Sequence, residues 1–218
     1  MARVPNNPKI YHITHVDNLP SMIDDGAIFS DARRLADDSE CKLVGMSHIK
    51  KRRLTEIEVG CHPGTFVGAY TPFYLCPRSI MLYILHRGNH PDIDYTEGQG
   101  PIVHLEADLH ECIEYAEEEG IRWACSTRNA SVQYEPEMFF NDASDLNRLN
   151  WASIGATKWN DAQVKDRKQA EFLFHDSFPW HLIRRVGVCD QRRKTAVERL
   201  LRGLEDPPEV QIKSDWYY

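Results

Sequence analysis

The chain has 218 residues, of which 42% are hydrophobic and 27% charged. That length supports one domain with a full core, and that composition excludes a disordered or fibrous chain. No apolar run approaches the roughly 18 residues of a membrane-spanning helix, and a formal net charge of −7 excludes a protein that holds nucleic acid by overall charge alone.

The charge is unevenly placed. Between Ser30 and Arg53 seven basic residues stand against four acidic ones, and between Arg184 and Arg202 seven stand against two. Asp92 to Glu119 holds ten acidic residues and no Lys or Arg. This predicts a polarised molecule that holds a polyanion on one side, with solvated helix faces as the bland alternative. Cys41, Cys61, Cys76, Cys112, Cys125 and Cys189 are scattered singly. Without ligand pairs at zinc spacing, no metal is expected. Met1 to Pro8 has no hydrophobic stretch of the signal-peptide kind, so reduced thiols and a cytoplasmic location are expected.

Lys9–Thr14 alternates as a strand does, and Leu19, Met22 and Ile23 then recur at helical spacing up to a stop at Gly26. Residues 30–64 are polar and poorly periodic, and a stretch this long without clear elements is usually functional. Thr65–Leu75 reads as one or two strands, and Pro77 as the first residue of a helix carrying Ile80, Met81, Ile84 and Leu85. Ile102–Leu105 is a predicted strand, Asp108 caps a helix that stops at Gly120, and Ile121–Cys125 is a strand. Residues 126–168 are again weakly patterned. Arg167–Phe174 and Val186–Cys189 are predicted strands, 191–203 a helix, and Val210–Ile212 a closing strand. Seven or so short strands with three or four helices, without regular βαβ alternation, predict a single α+β domain over residues 1–218. The absence of GxGxxG after the first strand removes the dinucleotide-binding alternative of regular alternation. No nucleophile elbow or Walker loop occurs either.

Four places could carry chemistry. His12 has two ring nitrogens suited to gripping a ribose hydroxyl, with Thr14 on the same strand face. Asn18 and Ser21 share a helix face. Lys50-Lys51-Arg52-Arg53 reads as a basic loop cluster, either a solvated run or a site for phosphate and imide oxygens. Glu171 lies between Ala170 and Phe172-Leu173-Phe174, where a carboxylate is costly unless it faces a cleft or pairs with an Arg. Phe73 and Tyr74 read as core, and Arg78 stays open.

Together these residues resemble a known family. Tyr11-His12-Ile13-Thr14, Pro72-Phe73-Tyr74-Leu75-Cys76-Pro77-Arg78, Arg167-Lys168-Gln169-Ala170-Glu171-Phe172-Leu173, Phe178-Pro179-Trp180 and Asp215-Trp216-Tyr217-Tyr218 are similar to the DarT family. Its members are the DNA ADP-ribosyltransferase toxins of DarT–DarG toxin–antitoxin systems. The resemblance implies the ADP-ribosyltransferase fold, a split central β-sheet with flanking helices and an NAD cleft. It implies NAD as co-substrate, contacted by His12, Ile13, Thr14, Ser21, Phe29 and Arg53, with residues 38–53 as the NAD-binding element. Residues 126–171 would be the substrate-recognition loop, Glu171 and Arg53 the catalytic pair, and Arg52, Arg78, Arg128 and Asn129 the substrate-binding residues. Ser126-Thr127-Arg128-Asn129 departs from relatives that carry an Asp or His there. The activity implied is transfer of ADP-ribose to a thymine base in single-stranded DNA, releasing nicotinamide and blocking replication. A DarG-like, macrodomain-containing antitoxin is the implied partner, with no membrane partner and a monomeric state. The alternatives are a guanine or protein acceptor, and a non-catalytic domain that binds NAD or nucleic acid.

Overall fold

The alternation at the start of the chain forms β1 (Lys9–His15), and Pro20 then opens α1 (Leu19–Asp24). Gly26, at φ +62, reverses the chain into β2 (Ala27–Phe29). The computed structural model describes residues 3–130 and 135–218. The polar stretch 30–64 is not a loop, since it folds α2 (Asp31–Ala36) and α3 (Ser47–Thr55). Ser30 caps α2 by accepting from Arg33 N at 3.1 Å. β3 (Tyr70–Tyr74) leads to α4 (Ile80–Arg87). Pro77 is not its first residue: Ser79 is the cap, accepting from Leu82 N at 3.1 Å. The Pro77 carbonyl instead takes the ring of His104 at 3.0 Å.

β4 (Ile102–Asp108), α5 (Leu109–Glu118) and β5 (Trp123–Ser126) follow as predicted, with Asp108 accepting from His110 N and Glu111 N. Residues 126–168, of which 131–134 lie outside the described residues, contain β6 (Phe139–Phe140), α6 (Trp151–Ile154) and α7 (Ala162–Arg167). The predicted strand from Arg167 starts later, because α7 ends at Arg167 and β7 (Glu171–His175) begins at the carboxylate itself. β8 (Ser177–Pro179), β9 (Ile183–Val188), α8 (Gln191–Leu200) and β10 (Glu209–Ile212) complete the chain. The described residues therefore form more elements than the sequence predicts, and the extra ones are short.

β2 and β8 pair with each other, and the other eight strands form one mixed sheet in the order β10-β9-β4-β1-β3-β7-β5-β6. β1 is paired with β4 along its whole length but with β3 at a single register position, Tyr11 opposite Tyr74. The sheet is thus split in its middle. Two strands that part from each other leave open backbone groups and a gap between two half-sheets, and that gap positions the site.

The half-sheets are anchored separately. Phe172 and Phe174 of β7 point into the main core with Phe73 and Phe178, while Leu173 points into a second core with Ile57, Val59 and Phe139. Burial on both faces explains why β7 reads as a near-continuous apolar run, and each buried Phe contributes about 1.5–3 kcal/mol. On the other half, Trp216 and Tyr217 pack with Ile13 and Ile102. Gly187 makes this possible, since a Cβ there would lie 2.3 Å from the Trp216 ring.

Candidate active site

Where β1 and β3 part, a cleft of about 280 Å³ opens. Arg53 and Glu171 both line it. Arg53 Nη1 donates to Glu171 Oε1 at 3.0 Å, and Nη2 to Oε2 at 2.9 Å. The two side chains are only 12% and 6% exposed. Two charges taken this far out of water are offset only by good geometry, and the two-point fork supplies it. Burial works against the Arg53 cation, but the carboxylate of Glu171 outweighs it and pushes the pKa above its ordinary value.

Helical periodicity explains which basic residues reach the cleft. On α3, Lys50 and Arg53 are three apart and share one face, whereas Lys51 and Arg52 do not line the cleft. Lys50 Nζ donates to Asp31 at 2.8 Å, and an Arg34 nitrogen lies 3.6 Å from the same carboxylate. Burial raises the Asp31 pKa, but Lys50, Arg34 and Arg53 together bring it below its usual value. The more buried charges of the lining are thus three cations and two carboxylates. The Nε of Arg34 is buried with no hydrogen-bond partner among the described residues, and Arg34 lines the cleft.

His12 bridges the split, with Nδ1 2.9 Å from the Pro72 carbonyl. A carbonyl only accepts, so Nδ1 carries the proton. Burial pushes the His12 pKa down, so the ring is neutral and Nε2 is left as an acceptor. Thr14 accepts from Asn18 Nδ2 at 3.0 Å. The same amide takes Lys42 N at 2.8 Å and donates to Lys42 O at 3.0 Å, which fixes the loop before α3 over the cleft. Tyr74 lies opposite Glu171 in register and also lines the cleft. Burial, then the charge of Glu171, pushes its phenol up, so it stays protonated. Ser126 ties the next segment to this point: its hydroxyl accepts from Glu171 N at 3.0 Å and donates to Arg128 O at 2.8 Å.

The structure brings His12, Ile13, Thr14, Ser21, Phe29, Arg53, Asn129 and Glu171 into one cleft. It does not bring Arg52, Arg78 or Arg128 there. Arg52 Nε bonds Glu56 at 3.1 Å, the Arg78 guanidinium lies 4.3 Å over the Tyr218 ring, and Arg128 pairs with Glu135 beside a second concavity. Sequence reasoning missed Asp31, Arg34 and Tyr74 as cleft residues, while Lys50 and Gln169 fell within the stretches 38–53 and 126–171 without being singled out. Phe73 is core as read, at 0% exposure. Tyr74 is separated from it by strand alternation, which was a usable signal. Asp31 and Arg34 left none without knowledge of α2.

The family model described as "ssDNA thymidine ADP-ribosyltransferase, DarT" matches residues 11–218. A DNA ADP-ribosyl transferase of Thermus aquaticus is 36% identical over 96% of this chain and 88% of its own. One from Thermus sp. (strain 2.9) is 33% identical over 98% of both. Among solved structures, Thermus sp. 2.9 DarT in complex with ADP-ribosylated ssDNA superposes with a TM-score of 0.88 at 32% identity, covering all of both chains. The same protein in complex with NAD+ gives 0.80 at 31% identity, over 99% of this chain and 100% of that one. With a family-model match from the first strand to the last residue, relatives at 33–36% identity and a fold shared over the whole chain, the chain belongs to the DarT family of ADP-ribosyltransferases.

Proposed function

We propose that this protein transfers the ADP-ribosyl group of NAD to ring N3 of a thymine base in single-stranded DNA, in a sequence-dependent way. The observation that carries the reading is the two-point Arg53–Glu171 pair at the cleft formed by the split. The Thermus sp. 2.9 DarT complexes, with NAD+ and with ADP-ribosylated ssDNA, support it.

The cleft residues fit NAD. The partnerless Nε of Arg34, with Lys50 beside it, suits the pyrophosphate. His12 Nε2 accepts from a ribose hydroxyl, and Ile13 and Phe29 offer apolar surface to the rings. Thr14 and Ser21 complete this side, and residues 38–53 act as the NAD-binding element.

Departure of nicotinamide leaves positive charge at the anomeric carbon, and Glu171 stabilises it. A carboxylate has about four lone-pair sites, so Glu171 can take a ribose hydroxyl while Arg53 still holds it. Such transition-state electrostatics is worth about 3–4 kcal/mol per well-placed group. Arg53 stays a cation and is no proton acceptor. It stabilises the deprotonated imide of the base, and the N3 proton leaves by way of Glu171. The new bond joins N3 to the anomeric carbon as the bond to nicotinamide breaks. Asn129, with the rest of residues 126–171, selects the base, which is reached most easily unpaired.

An adduct on N3 removes a Watson–Crick donor and stops replication, which makes the protein a toxin. It would act as a monomer in the cytoplasm and be opposed by a DarG-like, macrodomain-containing antitoxin. The test is mass spectrometry of single-stranded oligonucleotides incubated with NAD and the protein. One ADP-ribosyl group on thymidine is expected. An adduct on guanine would overturn the choice of base, and labelled protein with unmodified DNA would overturn the choice of acceptor.

A further inference from the structure

Beside the cleft lies a second, more open concavity of about 760 Å³, lined by Arg128, Arg148, Asn150, Gln163, Asp166 and Arg167 among others. The two depressions share a wall. Asn129 Nδ2 donates to Gln169 Oε1 at 2.9 Å, and both residues line the cleft. Arg128 directly precedes Asn129, and Arg167 comes two residues before Gln169, yet both Arg residues line the concavity. A polymer that leaves the cleft over the Asn129–Gln169 bond arrives at Arg128 and Arg167.

Three guanidiniums from three separate segments converge there on a lining with one carboxylate, Asp166. Arg148 is preorganised: it lies 4.9 Å over the Phe140 ring, donates to the Glu137 carbonyl and pairs with Asp145 at 3.2 Å. Arg128 pairs with Glu135. These pairs are partly exposed, with side chains 29–43% accessible. Ion pairs of that kind hold little free energy, so a phosphodiester can compete for the forks, which match its oxygens in a bidentate way. Asn150 and Gln163 add amide groups suited to the same oxygens.

We propose that this concavity is a phosphate station: Arg128, Arg148 and Arg167 hold backbone phosphates of the single-stranded DNA flanking the modified base. Contacts of this type fix the register of a strand without reading its sequence. The station rests on the DNA-modifying reading above and extends it from the base to its flanks.

The test uses the full chain and single-stranded oligonucleotides with one neutral methylphosphonate walked outward from the target thymidine. With the wild-type protein, KM for the oligonucleotide should rise about tenfold at one or two flanking positions. In Arg148→Gln/Arg167→Gln, KM for the unmodified strand should rise at least as much, and the methylphosphonate should then cost nothing further. The salt dependence of binding should flatten by about 0.7 per lost phosphate contact. Arg167→Gln alone, at an exposed position, repeats the test should the double variant fail to fold. A variant that keeps the wild-type KM and still pays the methylphosphonate penalty overturns the station while leaving the enzymatic reading intact. A wild-type protein that modifies no oligonucleotide overturns both.

Discussion

The two basic stretches of this chain carry seven cations each and end in different surroundings. In residues 30–53, α2 and α3 lay Arg34, Lys50 and Arg53 into the cleft around Asp31 and Glu171, and Arg34 keeps a buried donor without a partner. In residues 184–202, Arg184 pairs with Glu111, and Arg185 with Glu106 and, at 3.6 Å, Glu209. The acidic stretch 92–119 thus lies against the second basic stretch, because β4 and β9 are neighbours in the sheet. Two cations of the second stretch are matched by carboxylates of the acidic one. Cations are visible in a sequence, but what neutralises them is decided by strand order. A functional site shows itself where buried charge is gathered and left with open valences.

That contrast is most exposed at Glu171. In Glu171→Ala, NAD binding should persist while transfer to DNA falls by at least about 10²–10³-fold, as expected for loss of one transition-state group. Calorimetric NAD titration and mass spectrometry of the oligonucleotide separate the two. DNA modified at the wild-type rate would remove the carboxylate from the chemistry.

Arg53→Lys asks whether the fork or only the charge is needed. An ammonium keeps the cation but cannot hold both oxygens of Glu171 at 2.9–3.0 Å. A fall of about 10–100-fold in kcat/KM is expected, and an unchanged value would show that charge alone suffices. Conservative changes to the cations of the second stretch should leave kcat/KM unaltered.

These two residues also mark how far the sequence could be read. Glu171 was legible because a carboxylate beside Ala170 and Phe172-Leu173-Phe174 is expensive unless a cleft receives it. Arg53 was legible as part of a charge cluster, but not its direction. The inward side of α3 carries Lys50 and Arg53 instead of an apolar stripe, so the pattern that reveals most helices is missing. Lys50 was legible only as a member of that cluster for the same reason, and Asp31 and Arg34 were lost because α2 is only six residues long. The split of the sheet was implied by the family resemblance alone, since no local pattern reports that β1 and β3 meet at one position. Acceptor base and co-substrate came from that resemblance as well, since the residues by themselves offered a cleft, a cation and a carboxylate.

The far half of the sheet makes a stability prediction instead. His104 is fully buried, bonded to the Pro77 carbonyl and packed edge-on to Trp216 and Tyr217. Burial brings its pKa down to about 4. The unfolded chain takes up this proton near pH 6.5, whereas the folded chain resists until about 4, so stability falls as pH drops through that window. The loss is roughly 1.4 kcal/mol per pH unit, or about 2 kcal/mol at pH 5. His104→Gln keeps a donor for Pro77 and cannot titrate, so the loss of unfolding free energy between pH 7 and pH 5 should shrink by that amount, read as a smaller drop in Tm. An equal drop in both proteins would mean that the imidazole is protonated in place.

The smallest effect belongs to the second basic stretch. Arg184 and Glu111 are 47% and 38% exposed, and an ion pair this open contributes about 0–1 kcal/mol. Arg184→Gln should therefore move Tm by only a few degrees and leave both the transfer rate and its salt dependence unchanged. A variant that keeps its Tm but loses affinity for DNA would show that the matched half of the molecule also meets the strand. The line drawn between gathered and neutralised charge would then be in the wrong place.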